Sequence, residues 1–117
     1  MKILIAADAA GLNGKVSRRF GEAPFYLIHD TELGETEVRE NHGHDENHSG
    51  LIELVKEGIR HYLIGNTGPN AFAILDELGA QLYLARGLTA REAVDSFLNG
   101  ALSPLDKPTL KKPIRDH

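Results

Sequence analysis

The sequence contains no cysteine. Disulfides are therefore excluded, and so are thiolate-ligated zinc or iron–sulfur sites built from this chain alone. An excess of positive charge is also missing. The 13 basic residues are outnumbered by 17 acidic ones, leaving a net charge of -4. Sequence-independent nucleic-acid binding rests on Lys and Arg neutralising phosphates, so nucleic acid is not an expected partner, a local basic patch aside. There is no long hydrophobic run. The apolar opening, residues 1–8, is too short for a signal peptide or a membrane span, so no membrane partner is expected and the cytoplasm is the expected location. Several catalytic signatures are absent as well. No Gly-Lys-Ser/Thr follows a glycine-rich loop, no dinucleotide fingerprint occurs, and Ser17, Ser49, Ser96 and Ser103 lack a nucleophile-elbow context.

What is present describes a globular protein of one domain. The 117 residues suffice to bury a core, and the hydrophobic (41%) and charged (26%) fractions are ordinary. Residues 2–8 (KILIAAD) form a continuous apolar run, the pattern of a strand covered on both faces. A Gly/Asn-rich stretch follows, with room for a short helical turn over residues 15–21. Residues 24–30 (PFYLIHD) predict a second strand, residues 31–34 a turn, and residues 35–40 a half-exposed edge strand completing a hairpin. Leu51, Ile52, Leu54, Val55 and Ile59 recur at helical spacing, with Ser49 as the expected N-cap and Gly58 as the stop. Residues 61–65 predict a strand, and the helix after it turns Ala71, Phe72, Ile74, Leu75 and Leu78 to the core. Residues 81–85 predict the last strand. Thr89 and Glu92 form a capping box before a helix striped by Ala90, Ala93, Val94, Phe97 and Leu98, which Asn99 and Gly100 end. The order β-β-β-α-β-α-β-α predicts an α/β fold, a mixed five-stranded sheet with an antiparallel hairpin edge. Residues 1–102 make the domain. Residues 103–117 hold three of the five prolines and no apolar period, so a flexible or surface-draped Pro/Lys-rich tail is expected.

Two segments stand out chemically. Residues 41–48 read Asn-His-Gly-His-Asp-Glu-Asn-His, gathering His42, His44 and His48, half of the six histidines. Imidazole suits zinc, copper, nickel and iron, and in an extended stretch His42 and His44 project to the same side. Asp45 and Glu46 would add an oxygen ligand or fix an imidazole tautomer. A polar loop rich in His for solubility alone is the other reading. The second segment is Gly65, Asn66, Thr67, Gly68, Pro69, Asn70 and Ala71, a strand-to-helix turn. Its glycines allow close backbone approach, Pro69 suits the first helical position, and exposed amides at a helix start attract anions. Tight turn chemistry alone would also account for it. Arg18 and Arg19 beside Phe20 would either grip an anion or form a solvated basic face. Asp8 and Asp30 each end a strand. They suggest a two-cation nuclease less than a loop-organising role for Asp8, because no further carboxylate partners are evident. His29 and His61 fall within strands and read as core histidines.

Taken in order, these segments resemble the dinitrogenase iron–molybdenum cofactor biosynthesis family. The resemblance is carried by MKILIAAD, by VSRRFGEAPF over residues 16–25, and by the histidine-rich loop before a helix. HYLIG running into NTGPNAF, LGAQLY over residues 78–83, and TAREA over residues 89–93 continue it. It implies a three-layer α/β/α fold of ribonuclease H-like topology without nuclease chemistry. It also implies a non-enzymatic carrier of an iron–sulfur or iron–molybdenum-type cluster, acting with cofactor-assembly proteins. In that family a histidine often precedes Phe-Gly and is proposed to contact cofactor; here that position is Arg19. Guanidinium stays protonated and has no lone pair for iron. The expectation is therefore that Arg18, Arg19 and the Gly68/Pro69 turn balance charge, while His42, His44 or His48 ligate a cluster that arrives preassembled, or a simpler divalent transition metal. An interaction module that has lost its ligand, or an unusual hydrolase, are the competing classes. The sequence leaves the oligomeric state open.

Overall fold

A computed structural model describes residues 1–41 and 49–111, with Ser49 described by its backbone alone. The apolar opening forms β1 (Lys2–Ala7), whose last five residues are buried, and it takes the centre of a five-stranded sheet. β2 (Phe25–Asp30) pairs antiparallel to β1, in register from Lys2 against Asp30 to Ala7 against Phe25. β3 (Thr36–Glu40) pairs antiparallel to β2, while β4 (His61–Ile64) and β5 (Gln81–Leu84) extend the other side in parallel. The order is β3-β2-β1-β4-β5. Only β2 runs against the rest, so β1, β3, β4 and β5 all end at the same edge of the sheet.

Alternation along β1 feeds two cores. Leu4 and Ala6 join Tyr62, Ile64 and Leu82 beneath α1 (Ser49–Lys56) and α2 (Pro69–Glu77). Ile3, Ile5 and Ala7 join Leu27 and Leu63 beneath Ala90, Ala93 and Val94 of α3 (Ala90–Leu98). Two helices on one face and one on the other give three layers, as the ribonuclease H-like expectation required. Arg39 of β3 holds Glu57, just beyond α1, with a two-pronged ion pair of 2.6 and 2.7 Å, and also bonds Glu37. Both carboxyls are held below the usual range, chiefly by the Arg39 hydrogen bond.

The helix ends follow local chemistry. Gly58, at φ 92°, lets its own amide reach Val55 O (2.9 Å) and that of Ile59 reach Leu54 O (3.2 Å). This left-handed stop satisfies carbonyls that the end of α1 would otherwise strand. Thr89 and Glu92 form the full reciprocal box at the start of α3, with bonds of 3.1 and 2.9 Å.

Three local expectations need correction. Ser49 is the first residue of α1, one position inside the cap expected of it. The helical turn expected over residues 15–21 instead occupies Phe20–Glu22 as a single 3-10 turn. Residues before it are held extended, Val16 by Ala7 and Leu88, and Arg19 by Asn66, so the chain is free to curl only after them. Leu78 lies past the end of α2 and is exposed, leaving Phe72 and Leu75 as its buried anchors.

Candidate anion-binding rim

The edge where β1, β3, β4 and β5 end is the place where open α/β sheets favour ligands. Leaving β1, the chain folds back on itself. The Asp8 amide donates to Lys15 O (2.9 Å), its carboxylate accepts the Ser17 hydroxyl (2.6 Å), and the Ser17 amide returns to Ala6 O (2.8 Å). Asp8 thus organises the loop. The next residues run beside Asn66 as a miniature parallel strand: the Asn66 amide donates to Arg18 O and the Phe20 amide to Asn66 O, both at 2.8 Å. Gly65 makes this approach possible. A Cβ there would lie 2.7 Å from the Arg18 carbonyl oxygen and closer still to that of Ser17. Phe20 pins the loop by entering the core, with ring centroids 5.9 Å from Tyr26 and 6.4 Å from Tyr62.

Arg18 and Arg19 consequently stand exposed on the rim. Arg19 has a long ion pair with Glu22 (3.5 Å), which exposure and screening make weak. Arg86, two residues beyond β5, donates to the Asn66 side-chain oxygen (3.1 Å). Asn66 therefore bonds Arg18 and Phe20 through its backbone, which sets Arg19 between them beside it, and Arg86 through its side chain. The sequence reading missed Arg86. Its position just past a parallel strand, equivalent to that of Asn66 after β4, was the available signal.

The turn into α2 lies immediately beyond. Gly68 is the N-cap, without a side-chain cap, and Pro69 follows at the first helical position. The amides of Gly68 and Asn70 have no protein partner among the described residues. Thr67 is fully buried, and its amide is taken by the Thr109 hydroxyl oxygen (2.8 Å). The amides of Thr109 and Leu110 both donate back to Thr67 O, at 3.1 and 3.0 Å. Nothing in the pattern of residues 103–117 signalled this return.

His42, His44 and His48 lie outside the described residues. Their segment leaves from Asn41, which is fixed at this same rim by its side chain on Ala23 O (2.7 Å) and its amide on Pro24 O (2.9 Å). Among the described residues, no group of three or more His, Cys, Asp or Glu side chains is arranged to hold a metal ion. Asp30 and Asp8 sit at opposite ends of β1, since Asp30 pairs with Lys2. Asp30 caps its own hairpin turn, accepting the Glu32 and Leu33 amides (2.9 and 3.1 Å), which hold its carboxyl below the usual range. These two acids cannot share cations. His29 is buried and bonded with Thr36 (2.9 Å), and His61 meets Tyr83 at 3.2 Å, with burial lowering its pKa. Among the described residues, no helix is long and apolar enough to cross a membrane.

A family model described as dinitrogenase iron–molybdenum cofactor matches residues 1–100. The apo form of the orange protein from Desulfovibrio gigas superposes with a TM-score of 0.84 at 30% identity, covering 93% of this chain and 96% of that one. A Thermotoga protein proposed to be NifB gives 0.79 at 34% identity, with 94% and 97% covered. An uncharacterized protein from Methanocaldococcus jannaschii is 29% identical over 115 residues, covering 91% of this chain and 92% of its own length.

Proposed function

The chain belongs to the dinitrogenase iron–molybdenum cofactor family, and from that premise we propose a non-enzymatic carrier of an anionic iron–sulfur or iron–molybdenum-type cluster. The observation that carries the proposal is the convergence of Arg18, Arg19 and Arg86 on Asn66, beside the unpartnered Gly68 and Asn70 amides. Guanidinium groups next to amides at a helix start suit a diffuse negative charge, and they bind it without forming a bond to metal. The orange protein supports the reading in one respect: being designated apo, it has a ligand-bearing counterpart.

The donor set also argues for transient holding. With no cysteine in the sequence, thiolate ligation is unavailable, so the cluster would be cargo received preassembled from cofactor-assembly proteins and passed on to them. Any direct metal bond falls to imidazole, with a carboxylate oxygen as the other available donor. His42 follows the anchored Asn41 directly in sequence, and His44 and His48 come two and six residues after it. A divalent transition metal on the same histidines is the simpler cargo.

An anaerobic titration of the purified protein with isolated iron–molybdenum cofactor, and separately with Zn²⁺, Ni²⁺ and Fe²⁺, tests this. Arg19→Ala and Arg86→Ala should each weaken cofactor binding by about tenfold, in line with the loss of one charge-assisted contact. The His42/His44/His48→Ala triple variant should lose the metal bond while keeping a weaker, salt-sensitive association. Failure of the wild-type protein to bind either cargo refutes the carrier reading and leaves an interaction module.

A further inference from the structure

The C-terminal segment is held at two places with different characters. Near β5, Ser103 O accepts the Leu84 amide (3.2 Å), the Leu105 amide donates to Leu82 O (2.8 Å), and Gln81 bonds Leu105 O (3.1 Å). Leu105 also packs against the core beneath α1 and α2. After exposed Asp106 and Lys107, the chain reaches the rim, where Thr109 and Leu110 hold Thr67 by hydrogen bonds to its backbone. The first attachment joins hydrogen bonds to an apolar anchor, Leu105. The second is polar, and it sits on the turn assigned above to the cargo. This strap lies beyond residues 1–100, the part matched by the family model.

We infer that Thr109 and Leu110 form a latch over the cargo turn, and that the cargo binds by displacing the Thr109 hydroxyl from the Thr67 amide. The inference rests on the carrier reading and adds its regulation. The Thr109 oxygen accepts from the Thr67 amide, the role that an oxygen or sulfide of an anionic cargo would take at a helix approach. Opening the latch exchanges a few hydrogen bonds for bonds to water, a small net cost. Leu105 keeps the strap attached meanwhile, so the latch recloses on departure. A protein closed most of the time binds with an affinity reduced by its open fraction, which makes the latch a release device as well as a cover.

The test compares full-length wild type, Thr109→Val and Thr109→Ser. Two readouts serve: anaerobic cofactor titration, and deuterium uptake of the C-terminal peptide with and without cofactor. Cofactor loading should speed uptake at Thr109 and Leu110 in the wild type. Thr109→Val should show faster uptake before loading and bind cofactor about five- to tenfold more tightly. Thr109→Ser, which keeps the hydroxyl, should match wild type. Unchanged uptake on loading, or equal or weaker binding by Thr109→Val, overturns the latch while leaving the carrier reading intact. No binding by any of the three chains sinks the carrier reading, and the latch with it.

Discussion

Gly65→Ala is the sharpest single test of how the rim is assembled. The added Cβ would meet the carbonyl oxygens of Ser17 and Arg18, the latter at 2.7 Å. Both are backbone atoms and cannot rotate aside, so the arginine loop must lift away from Asn66. Lifting it weakens two backbone hydrogen bonds of 2.8 Å, each worth about 1 kcal/mol net. Residual crowding adds about 1–3 kcal/mol, and the reduced freedom of the unfolded chain returns about 0.4–1 kcal/mol. The balance is a loss of about 2–4 kcal/mol. With a urea dependence of about 1–1.5 kcal/mol per molar, the unfolding midpoint should fall by about 2 M, with the slope unchanged. Gly50→Ala is the control: it lies in α1, and a Cβ there meets nothing within 4 Å. That variant should gain about 0.5–1 kcal/mol from helix propensity. If Gly65→Ala unfolds within about 0.5 kcal/mol of wild type, the close approach of loop and strand is not what builds the rim.

Tyr62 is fully buried and its hydroxyl has no hydrogen-bond partner among the described residues, so Tyr62→Phe should leave stability unchanged or raise it by about 1 kcal/mol. A loss above about 1 kcal/mol in urea unfolding would mean that the hydroxyl is satisfied after all. Thr89→Ala removes the hydroxyl that caps α3 and should cost about 1 kcal/mol in the same assay. Glu57→Gln should lose about 0.5–1 kcal/mol at neutral pH, a modest figure because Arg39 and Glu57 are both partly exposed. Its sign with pH is fixed by the direction of the shift. The Glu57 carboxyl is depressed in the folded chain, so the contribution is complete above the unfolded carboxylate range and disappears as pH falls through the folded value. Wild type and Glu57→Gln should therefore converge once the Glu57 carboxyl is protonated in the folded chain, and a difference that persists in that acid range refutes the ion pair as its source.

The sheet was legible because each strand announced its surroundings. An unbroken apolar run placed β1 at the centre, and a half-charged run placed β3 at the edge. The stops at Gly58 and Gly100 and the Thr89 box were legible because capping is local chemistry, readable within one turn. The rim was legible only in pieces. Arg18, Arg19 and the turn at residues 65–70 were singled out separately, but Asn66 as the residue that joins them was not, because its bonds reach residues 46–48 positions earlier in the chain. Arg86 and Thr109 are joined to the rim by contacts 20 and 42 residues apart in sequence, and neither lies in a pattern with a period. Periodicity reports which way a side chain faces; it carries nothing about which distant backbone a polar group will find.

The two ends of the histidine segment have a consequence of their own. Asn41 is tied down by two hydrogen bonds, and Ser49 begins a helix packed on the sheet. In sequence, His42 directly follows Asn41 and His48 directly precedes Ser49. An ion bound by His42 and His48 together would act as a crosslink between the end of β3 and the start of α1, spanning much of the connection between them. Such a chelate stabilises the folded chain in proportion to the logarithm of metal concentration above Kd. The melting temperature of this protein would then serve as a gauge of its own cargo, rising with each metal that both histidines can grasp.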